Sequence, residues 1–284
     1  MIPGNFDYHR PESVADAVAL LVKYGDEARA TAGGHSLIPM MKLRMTEIAH
    51  LVDLQAIGDL KGIKVDGDSV SIGAMTTQHE LITSDALAKA APIIREASLQ
   101  IADPQVRYVG TVGGNVANGD PGNDMPGLMQ CLDASYVLSG PDGTREVAAR
   151  EFYEAAYFTA RSDEEILVTI RFPVPKGGYA YEKQKRKIGD YATAAAAVLI
   201  EKDGGKCTSA SIAMTNLADT PVWCKAAADA LVGTSLDGAA LDSAVAAMQE
   251  AIDPQEDNRG PVDFKKHVAG VMLRRAIERA ASRA

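Results

Sequence analysis

Cysteine is scarce in this sequence, and its placement excludes a metal centre. The three cysteines, Cys131, Cys207 and Cys224, lie far apart, and none has another cysteine or a histidine at ligand spacing. A structural zinc ion or an iron–sulfur cluster needs such a set of thiolate or imidazole ligands. Any iron–sulfur cluster that works with this protein must therefore be bound by another chain. An odd, sparse set of cysteines also favours a reducing compartment, so we expect a cytoplasmic location.

A surplus of positive charge is also absent, as are long apolar runs. Acidic residues number 38 against 29 basic ones, a formal charge of -9, which leaves nothing to neutralise a phosphodiester backbone. Nucleic acid is therefore excluded as a partner. The longest apolar stretch, residues 192–200, is too short to cross a bilayer, and the first ten residues do not resemble a secretory signal. We expect a soluble protein that reaches a membrane surface only through a partner.

The length and the apolar content predict an α+β protein of two domains. The chain has 284 residues, of which 46% are hydrophobic, more than one small core accommodates. A Pro-Lys-Gly-Gly stretch at residues 175–178 follows an apolar strand and marks the predicted junction. The predicted domains are residues 1–176, with subdomains 1–55 and 56–176, and a smaller α+β domain at residues 177–284.

Apolar periodicity predicts the main elements. Helical spacing occurs at residues 11–24, 77–84, 92–101, 221–232, 237–252 and 264–282. Alternating or compact apolar runs predict strands at residues 28–32, 50–54, 61–65, 69–72, 166–174, 179–183, 192–201 and 207–215. Residues 103–123 are rich in Gly, Pro, Asn and Asp, which predicts a long irregular loop, and such loops inside compact domains are usually functional.

Two glycine pairs indicate a binding site for a phosphate-containing ligand. The first pair lies in Ala-Gly-Gly-His-Ser at residues 32–36, directly after a short strand. Adjacent glycines let successive N–H groups turn toward one point and form an anion nest. The segment matches neither the Rossmann nor the P-loop pattern. Taken alone, a glycine pair is more often an ordinary turn.

The second pair lies in Thr-Val-Gly-Gly-Asn at residues 111–115, within a loop that extends to residue 126. Such a loop supplies exposed N–H groups for phosphate oxygens, and short carboxylates or amides for sugar hydroxyls. The alternative of a calcium loop fails because residues 120–124 have the wrong ligand pattern and no downstream glutamate at the needed spacing. Together, the two pairs predict a dinucleotide whose pyrophosphate lies between two polar halves.

These two motifs resemble the FAD motifs of the flavoprotein subunits of molybdenum hydroxylases, the family that includes the flavin domain of xanthine dehydrogenase. The similarity extends to residues 101–107, 119–124 and 181–192, and so spans nearly the whole chain. Residues 1–9, 119–124 and 185–194 are similar in particular to the branch that serves aerobic carbon monoxide oxidation. The resemblance implies a two-part FAD-binding domain of the vanillyl-alcohol-oxidase type, followed by a smaller C-terminal domain.

The resemblance also implies a set of cofactor-binding residues. It assigns the FAD pyrophosphate to the two glycine loops, through Ala32, Gly33, Gly34, His35, Ser36, Leu37, Thr111, Gly114 and Asn115. It makes Asp124 the carboxylate that binds a cofactor hydroxyl. It places Ile101 and Ala102 beside the nucleotide and makes Leu167 and Val168 apolar contacts, with core packing as the alternative for all four. Lys183, and more weakly Lys185, would lie near the flavin, and Tyr191 would lie in front of its ring. His35 would serve the cofactor loop and not act as a general base.

By the same resemblance, the substrate chemistry belongs to other chains. It implies a large subunit with the molybdenum cofactor that oxidises CO with water to CO2, and a small subunit with two [2Fe–2S] clusters, arranged as a dimer of heterotrimers. This chain would pass electrons through FAD to a quinone or another acceptor, at the inner face of the membrane. The alternatives are the same role in a hydroxylase for a purine, an N-heterocycle or an aldehyde, and a non-catalytic nucleotide-binding scaffold.

Overall fold

The fold begins with a small parallel sheet. The computed structural model describes all 284 residues. The three strands, β1 (Asp7–His9), β2 (Ala28–Thr31) and β3 (His50–Asp53), pair in the order β1-β3-β2. Helix α1 (Val14–Tyr24) covers the sheet with the buried Ala17, Val18 and Leu21. It starts where the Ser13 hydroxyl accepts a hydrogen bond from the Asp16 N–H at 3.1 Å. Helix α2 (Leu37–Lys42) follows the first glycine loop.

An antiparallel sheet of five strands forms the second layer. Its strands are β4 (Ile63–Asp66), β5 (Ser69–Gly73), β6 (Ser135–Gly140), β7 (Gly143–Ala148) and β10 (Ile166–Pro173), in the order β4-β5-β10-β6-β7. A short ribbon of β8 (Tyr153–Ala155) and β9 (Phe158–Thr159) lies outside this sheet. The helices between β5 and β6 are α3 (Gln78–Thr83), α4 (Asp85–Ala90), α5 (Pro92–Ser98), α6 (Pro104–Val109), α7 (Val112–Ala117) and α8 (Asp124–Cys131).

The C-terminal part is an antiparallel sheet of four strands with three helices. The strands β11 (Gly178–Gln184), β12 (Ala194–Asp203), β13 (Lys206–Thr215) and β14 (Val222–Trp223) pair in sequence order. The helices are α9 (Lys225–Asp229), α10 (Gly238–Ala251) and α11 (Val262–Ala281). No helix of the protein combines the length and the apolar character needed to cross a membrane.

The two faces of this last sheet belong to different cores. Ala194 and Ala196 pack in a core with α10 and α11, whereas Ala195 and Ala197 pack in the core of the preceding part of the chain. This alternation is the period of two that a strand imposes on its side chains. Helix α8, which contacts β12 and β13, is buried along its whole length. The C-terminal sheet is therefore joined to the rest of the molecule through a continuous apolar core.

The predicted α+β class is confirmed, but two segments differ from the prediction. Residues 103–123 are not one irregular loop, because they contain α6 and α7. The side chains of Asp103 and Thr111 accept hydrogen bonds from the Val106 and Gly114 N–H groups at 3.0 Å, so capping offsets the low helix propensity of this segment. The predicted helix at residues 221–232 is also wrong at its start, where β14 pairs with β13 before α9 begins.

Candidate functional site

A cavity of about 490 Å³ lies where the first glycine loop, the α6–α7 segment, the start of α8 and the segment before β12 converge. Every residue that the resemblance assigned to the cofactor lines this cavity, except Val168, Lys183 and the weaker candidate Lys185. The lining therefore includes Ala32, Gly33, Gly34, His35, Ser36, Leu37, Ile101, Ala102, Thr111, Gly114, Asn115, Asp124, Leu167 and Tyr191. The size falls in the range of small-molecule and cofactor sites.

The first glycine loop presents free backbone donors to the cavity. The N–H groups of residues 33–36 donate to no other atom of the chain. Gly34 has a φ of +72°, a left-handed conformation that glycine adopts without strain. A Cβ atom on Gly33 would overlap the backbone carbonyl oxygen of Val109, so a side chain there would separate the two glycine loops. The loop therefore holds several unpaired donors on one wall.

The second glycine loop differs from its prediction, because its N–H groups are already used. The Gly113 N–H donates to the Ala74 carbonyl oxygen at 2.9 Å, and the Gly114 N–H donates to the Thr111 hydroxyl at 3.0 Å. The Asn115 N–H donates to the Thr111 carbonyl oxygen at 3.1 Å. These glycines permit close packing, since a Cβ on Gly113 would lie 2.5 Å from that of Ala74. The prediction that this loop exposes its N–H groups is wrong for residues 113–115.

Asp124 lies at the bottom of the cavity in a buried charge cluster. Its Oδ2 accepts a hydrogen bond from Lys183 Nζ at 2.8 Å, and its Oδ1 accepts one from the Tyr181 hydroxyl at 2.5 Å. Burial, and then the charge of Asp124, raises the pKa of Tyr181 well above its usual value. The carboxylate therefore has one cation and one phenol as fixed partners, and it keeps lone pairs for a ligand hydroxyl.

Three of the predicted residues do not line the cavity. Lys183 is covered by Asp124, and its side chain is only 1% exposed. Val168 packs against the core under α1, and its carbonyl oxygen accepts a hydrogen bond from the Ala74 N–H at 3.0 Å. The pairing of β10 with β6 shifts by one residue between Leu167 and Thr169, and of the two predicted residues there only Leu167 lines the cavity. Lys185 also lies outside the lining, and burial and the charge of Lys183 lower its pKa.

Tyr191 lies at the rim of the cavity, where it is 41% exposed. Its N–H donates to Asp190 Oδ1 at 2.9 Å, and the Arg259 guanidinium lies 5.7 Å from the centre of its ring. Burial, and next the charge of Asp120, raises the pKa of Tyr191 to about 12. The phenol is therefore neutral at physiological pH.

Several lining residues were missed by the sequence reasoning, and Gln78 is the clearest. Its side-chain amide is buried, and neither its nitrogen nor its oxygen has a hydrogen-bond partner in the chain. Because such a group costs free energy, it indicates a partner that the polypeptide does not supply. The sequence reasoning also missed several charged and polar residues of the lining, namely Arg29, Asn118, Asn123, Arg161, Asp163, Glu165 and Asp190. No sequence pattern marks them, since they depend on which loops meet.

The free donors of residues 33–36, the unpaired Gln78 amide and Asp124 all belong to one cavity, and this combination is typical of a protein that binds a dinucleotide. Residues 4–175 match the family model for the FAD binding domain in molybdopterin dehydrogenase, and residues 179–280 match that for the CO dehydrogenase flavoprotein C-terminal domain. The chain belongs to this family of molybdenum-hydroxylase flavoproteins.

Individual relatives match the chain from end to end. The carbon monoxide dehydrogenase medium chain of Afipia carboxidovorans is 64% identical over 100% of this chain and 99% of its own length. The medium chain of the same name from Hydrogenophaga pseudoflava is 45% identical, with the same shares covered. The structure of reconstituted CO dehydrogenase from Oligotropha carboxidovorans superimposes with a TM-score of 0.99, at 64% identity, over 100% of both chains. The resemblance drawn from the motifs is confirmed, as is an FAD-binding part followed by a smaller C-terminal part.

The residues of the cavity fit FAD. Several backbone N–H donors can hold a pyrophosphate without a lysine, and residues 33–36 supply such donors. The unpaired Gln78 amide has both a donor and an acceptor for the edge of a heterocycle. Ile101, Ala102 and Leu167 provide apolar surface for planar rings.

Proposed function

We propose that this chain is the FAD-carrying subunit of an enzyme that oxidises CO with water to CO2, and that it delivers the electrons to an external acceptor. The support for CO as the substrate is that the chain aligns over its full length with two carbon monoxide dehydrogenase medium chains. The observation that carries the flavin assignment is the cavity itself, with free donors on one wall and the orphan amide of Gln78. FAD, when bound, supplies the capacity to take up electrons singly and to release them in pairs.

Each part of the cavity has its own proposed task. The N–H groups of residues 33–36 bind the pyrophosphate, with Ala32 and Leu37 forming the ends of that loop. Thr111, Gly114 and Asn115 form the opposite wall and fix its position through their internal hydrogen bonds. Asp124 accepts a hydrogen bond from a cofactor hydroxyl, while the ion pair with Lys183 holds that carboxylate in place. Ile101, Ala102 and Leu167 contact the rings, and Tyr191 forms the rim.

We propose that the remaining redox groups belong to partner subunits. The three cysteines of this chain are buried and separate, so they cannot hold a [2Fe–2S] cluster together. A large subunit carries the molybdenum cofactor and a small subunit carries the clusters, in a dimer of heterotrimers. We further propose two domains, residues 1–176 and 177–284, which is supported by the separate family models for residues 4–175 and 179–280. We propose a cytoplasmic complex that meets its quinone at the inner face of the membrane.

The test is a substrate panel on the complex purified with its partner subunits. The expected result is one FAD per copy of this chain, and reduction of a quinone with CO but not with a purine, an N-heterocycle or an aldehyde. A complex that contains FAD and oxidises one of those other compounds in place of CO would overturn the substrate. A complex without flavin would overturn the role of this chain, and would favour the nucleotide-binding scaffold.

A further inference from the structure

The segment that carries Tyr191 is held in place by a turn far away in the sequence. Asp190 is the connecting residue, because its side chain is 8% exposed and contacts two arginines. Arg186 Nε donates to Asp190 Oδ2 at 2.8 Å, and Arg259 Nη2 donates to Asp190 Oδ1 at 3.4 Å. The same Oδ1 accepts the Tyr191 N–H. The carboxylate of Asp190 therefore joins the backbone of Tyr191 to Arg259.

The turn that carries Arg259 is itself anchored. It lies between α10 and α11, where Asp257 accepts hydrogen bonds from the Arg259 N–H at 2.8 Å and from Lys265 Nζ at 3.0 Å. Lys265 is buried in α11 and also donates to the Gln255 carbonyl oxygen at 2.6 Å. Arg186 donates to the Asn258 carbonyl oxygen at 3.1 Å, a second link between the two segments. The turn with Arg259 is therefore anchored to the C-terminal helices as well as to the segment that carries Tyr191.

The ring of Tyr191 has two close neighbours outside the cavity lining. Arg259 lies on one side, and its planar guanidinium can pair with a carboxylate and approach an aromatic face at the same time, which a lysine ammonium cannot do equally well. Gly122 also lies beside the ring, where a Cβ atom would be 2.8 Å from Tyr191 Cδ1. Only glycine lets the ring pack so closely against that turn. The position of the ring at the cavity rim is thus determined by residues outside the cavity.

We propose that Arg259, acting through Asp190, is a positioning residue that fixes Tyr191 at the rim of the FAD cavity and so determines how the external electron acceptor approaches the flavin. This inference rests on the proposed function. It assigns a role in the acceptor half-reaction to the C-terminal part of the chain. The CO half-reaction occurs on a partner subunit and is independent of Arg259.

The test compares Arg259→Ala, Arg259→Lys, Tyr191→Phe and the double variant Arg259→Ala/Tyr191→Phe in the complete complex. Arg274→Ala is the matched control, because Arg274 pairs with Asp242 on the surface of the same C-terminal helices. The readouts are FAD content, the fluorescence of bound FAD, which a nearby tyrosine quenches by electron transfer, and kcat/KM measured separately for CO and for a quinone.

We expect Arg259→Ala to retain FAD, to raise flavin fluorescence, and to lower kcat/KM for the quinone by about threefold to tenfold, a typical coupling between contacting residues. The kcat/KM for CO stays unchanged, and Arg259→Lys lies between wild type and Arg259→Ala. The double variant should match Tyr191→Phe in flavin fluorescence, because phenylalanine does not quench the flavin and moving its ring changes nothing in that readout. Two results in a complex that holds FAD would overturn this inference alone. One is unchanged fluorescence and quinone kinetics in Arg259→Ala, and the other is a further rise of fluorescence in the double variant above that of Tyr191→Phe. A wild-type complex without FAD would overturn the proposed function instead.

Discussion

At the scale of single residues, the site depends on polar groups that are buried beneath or within the cavity. Motif similarity identified Asp124 and Lys183 as cofactor residues, but the structure pairs them with each other and brings only Asp124 to the cavity. Gln78 was not identified at all, because an unpaired amide is recognised only once its surroundings are known. The sequence therefore predicted residue identities at this site better than it predicted their partners.

Lys183→Met should lower the free energy of unfolding by about 3–5 kcal/mol, since it leaves Asp124 buried without its cation. Chemical denaturation of the cofactor-free chain measures this loss. The double variant Asp124→Asn/Lys183→Met removes both charges, and we expect it to recover most of the lost stability. If the double variant is as unstable as the sum of the single ones, the pair is not coupled.

Gln78→Met should separate cofactor affinity from stability. The variant removes an unpaired buried amide, so the cofactor-free chain should be as stable as wild type or more stable. The affinity for FAD should fall by roughly tenfold, the equivalent of about 1.4 kcal/mol for lost hydrogen bonds. Equilibrium titration with FAD, followed by flavin fluorescence, measures the change.

Gln130→Met is the matched control, because Gln130 is also buried with an unpaired Oε1 but lies outside the cavity lining. It should leave the affinity unchanged. Equal losses of affinity in the two variants would show that the Gln78 amide does not contact the cofactor.

At the scale of elements, the two glycine loops work as one unit with different tasks. The first leaves N–H groups free, whereas the second uses its own in hydrogen bonds to Ala74 and Thr111. Both motifs were evident in the sequence, but this division of tasks was not, because it depends on the caps that convert residues 104–117 into two short helices. Composition alone indicated a loop, and side-chain capping overrode it.

Gly33→Ala should reduce FAD retention, because its Cβ would overlap the Val109 carbonyl oxygen and push the first loop away from the second. We expect the affinity for FAD to fall by about tenfold or more. The reason is that overpacking forces a shift of the backbone, which costs about 1–3 kcal/mol. FAD content after gel filtration, and its dissociation constant, measure the effect. Gly58→Ala is the control, since a Cβ there meets no atom within 4 Å. Equal FAD retention in the two variants would contradict a close contact between the loops.

The stability of the fold should depend on pH in the acidic range through Glu165, which lies before β10 and lines the cavity. Arg145 forms two hydrogen bonds with the Glu165 carboxylate, at 2.6 and 2.8 Å, and these bonds are the main reason why the pKa of Glu165 lies below its ordinary value. A depressed pKa stabilises the fold above the unfolded-state value of about 4.3, and this stabilisation is lost as the pH falls through the lower folded-state pKa.

The stability difference between wild type and Glu165→Gln should therefore be largest above about pH 4.3 and should shrink on further acidification. Denaturation curves at a series of pH values measure it. A difference that grows as the pH falls would have the wrong sign for a depressed carboxyl pKa.

At the scale of the whole molecule, the cavity is assembled from segments that are distant in the sequence. Residues 29–37, 74–78, 101–124, 161–167 and 189–191 all contribute to its lining. Periodicity predicted most of the strands and the larger helices, because their patterns are local. Periodicity did not predict which loops converge, since that follows from the packing of α8 against α5, α7 and the C-terminal sheet. The resemblance to the flavoprotein family indicated which segments meet at the site, and the alignment with a relative over the full length of the chain supports it.

The most direct test of the proposed electron path is the addition of CO to the anaerobic complex, while the absorbance of the flavin is followed. A matched complex is assembled with a Gly33→Ala chain from which FAD has been removed. We predict that CO bleaches the flavin of the wild-type complex and that quinone restores its colour. In the flavin-free complex, CO should still reduce the iron–sulfur clusters, but quinone should no longer be reduced. Quinone reduction at the wild-type rate without FAD in this chain would contradict the proposed electron path.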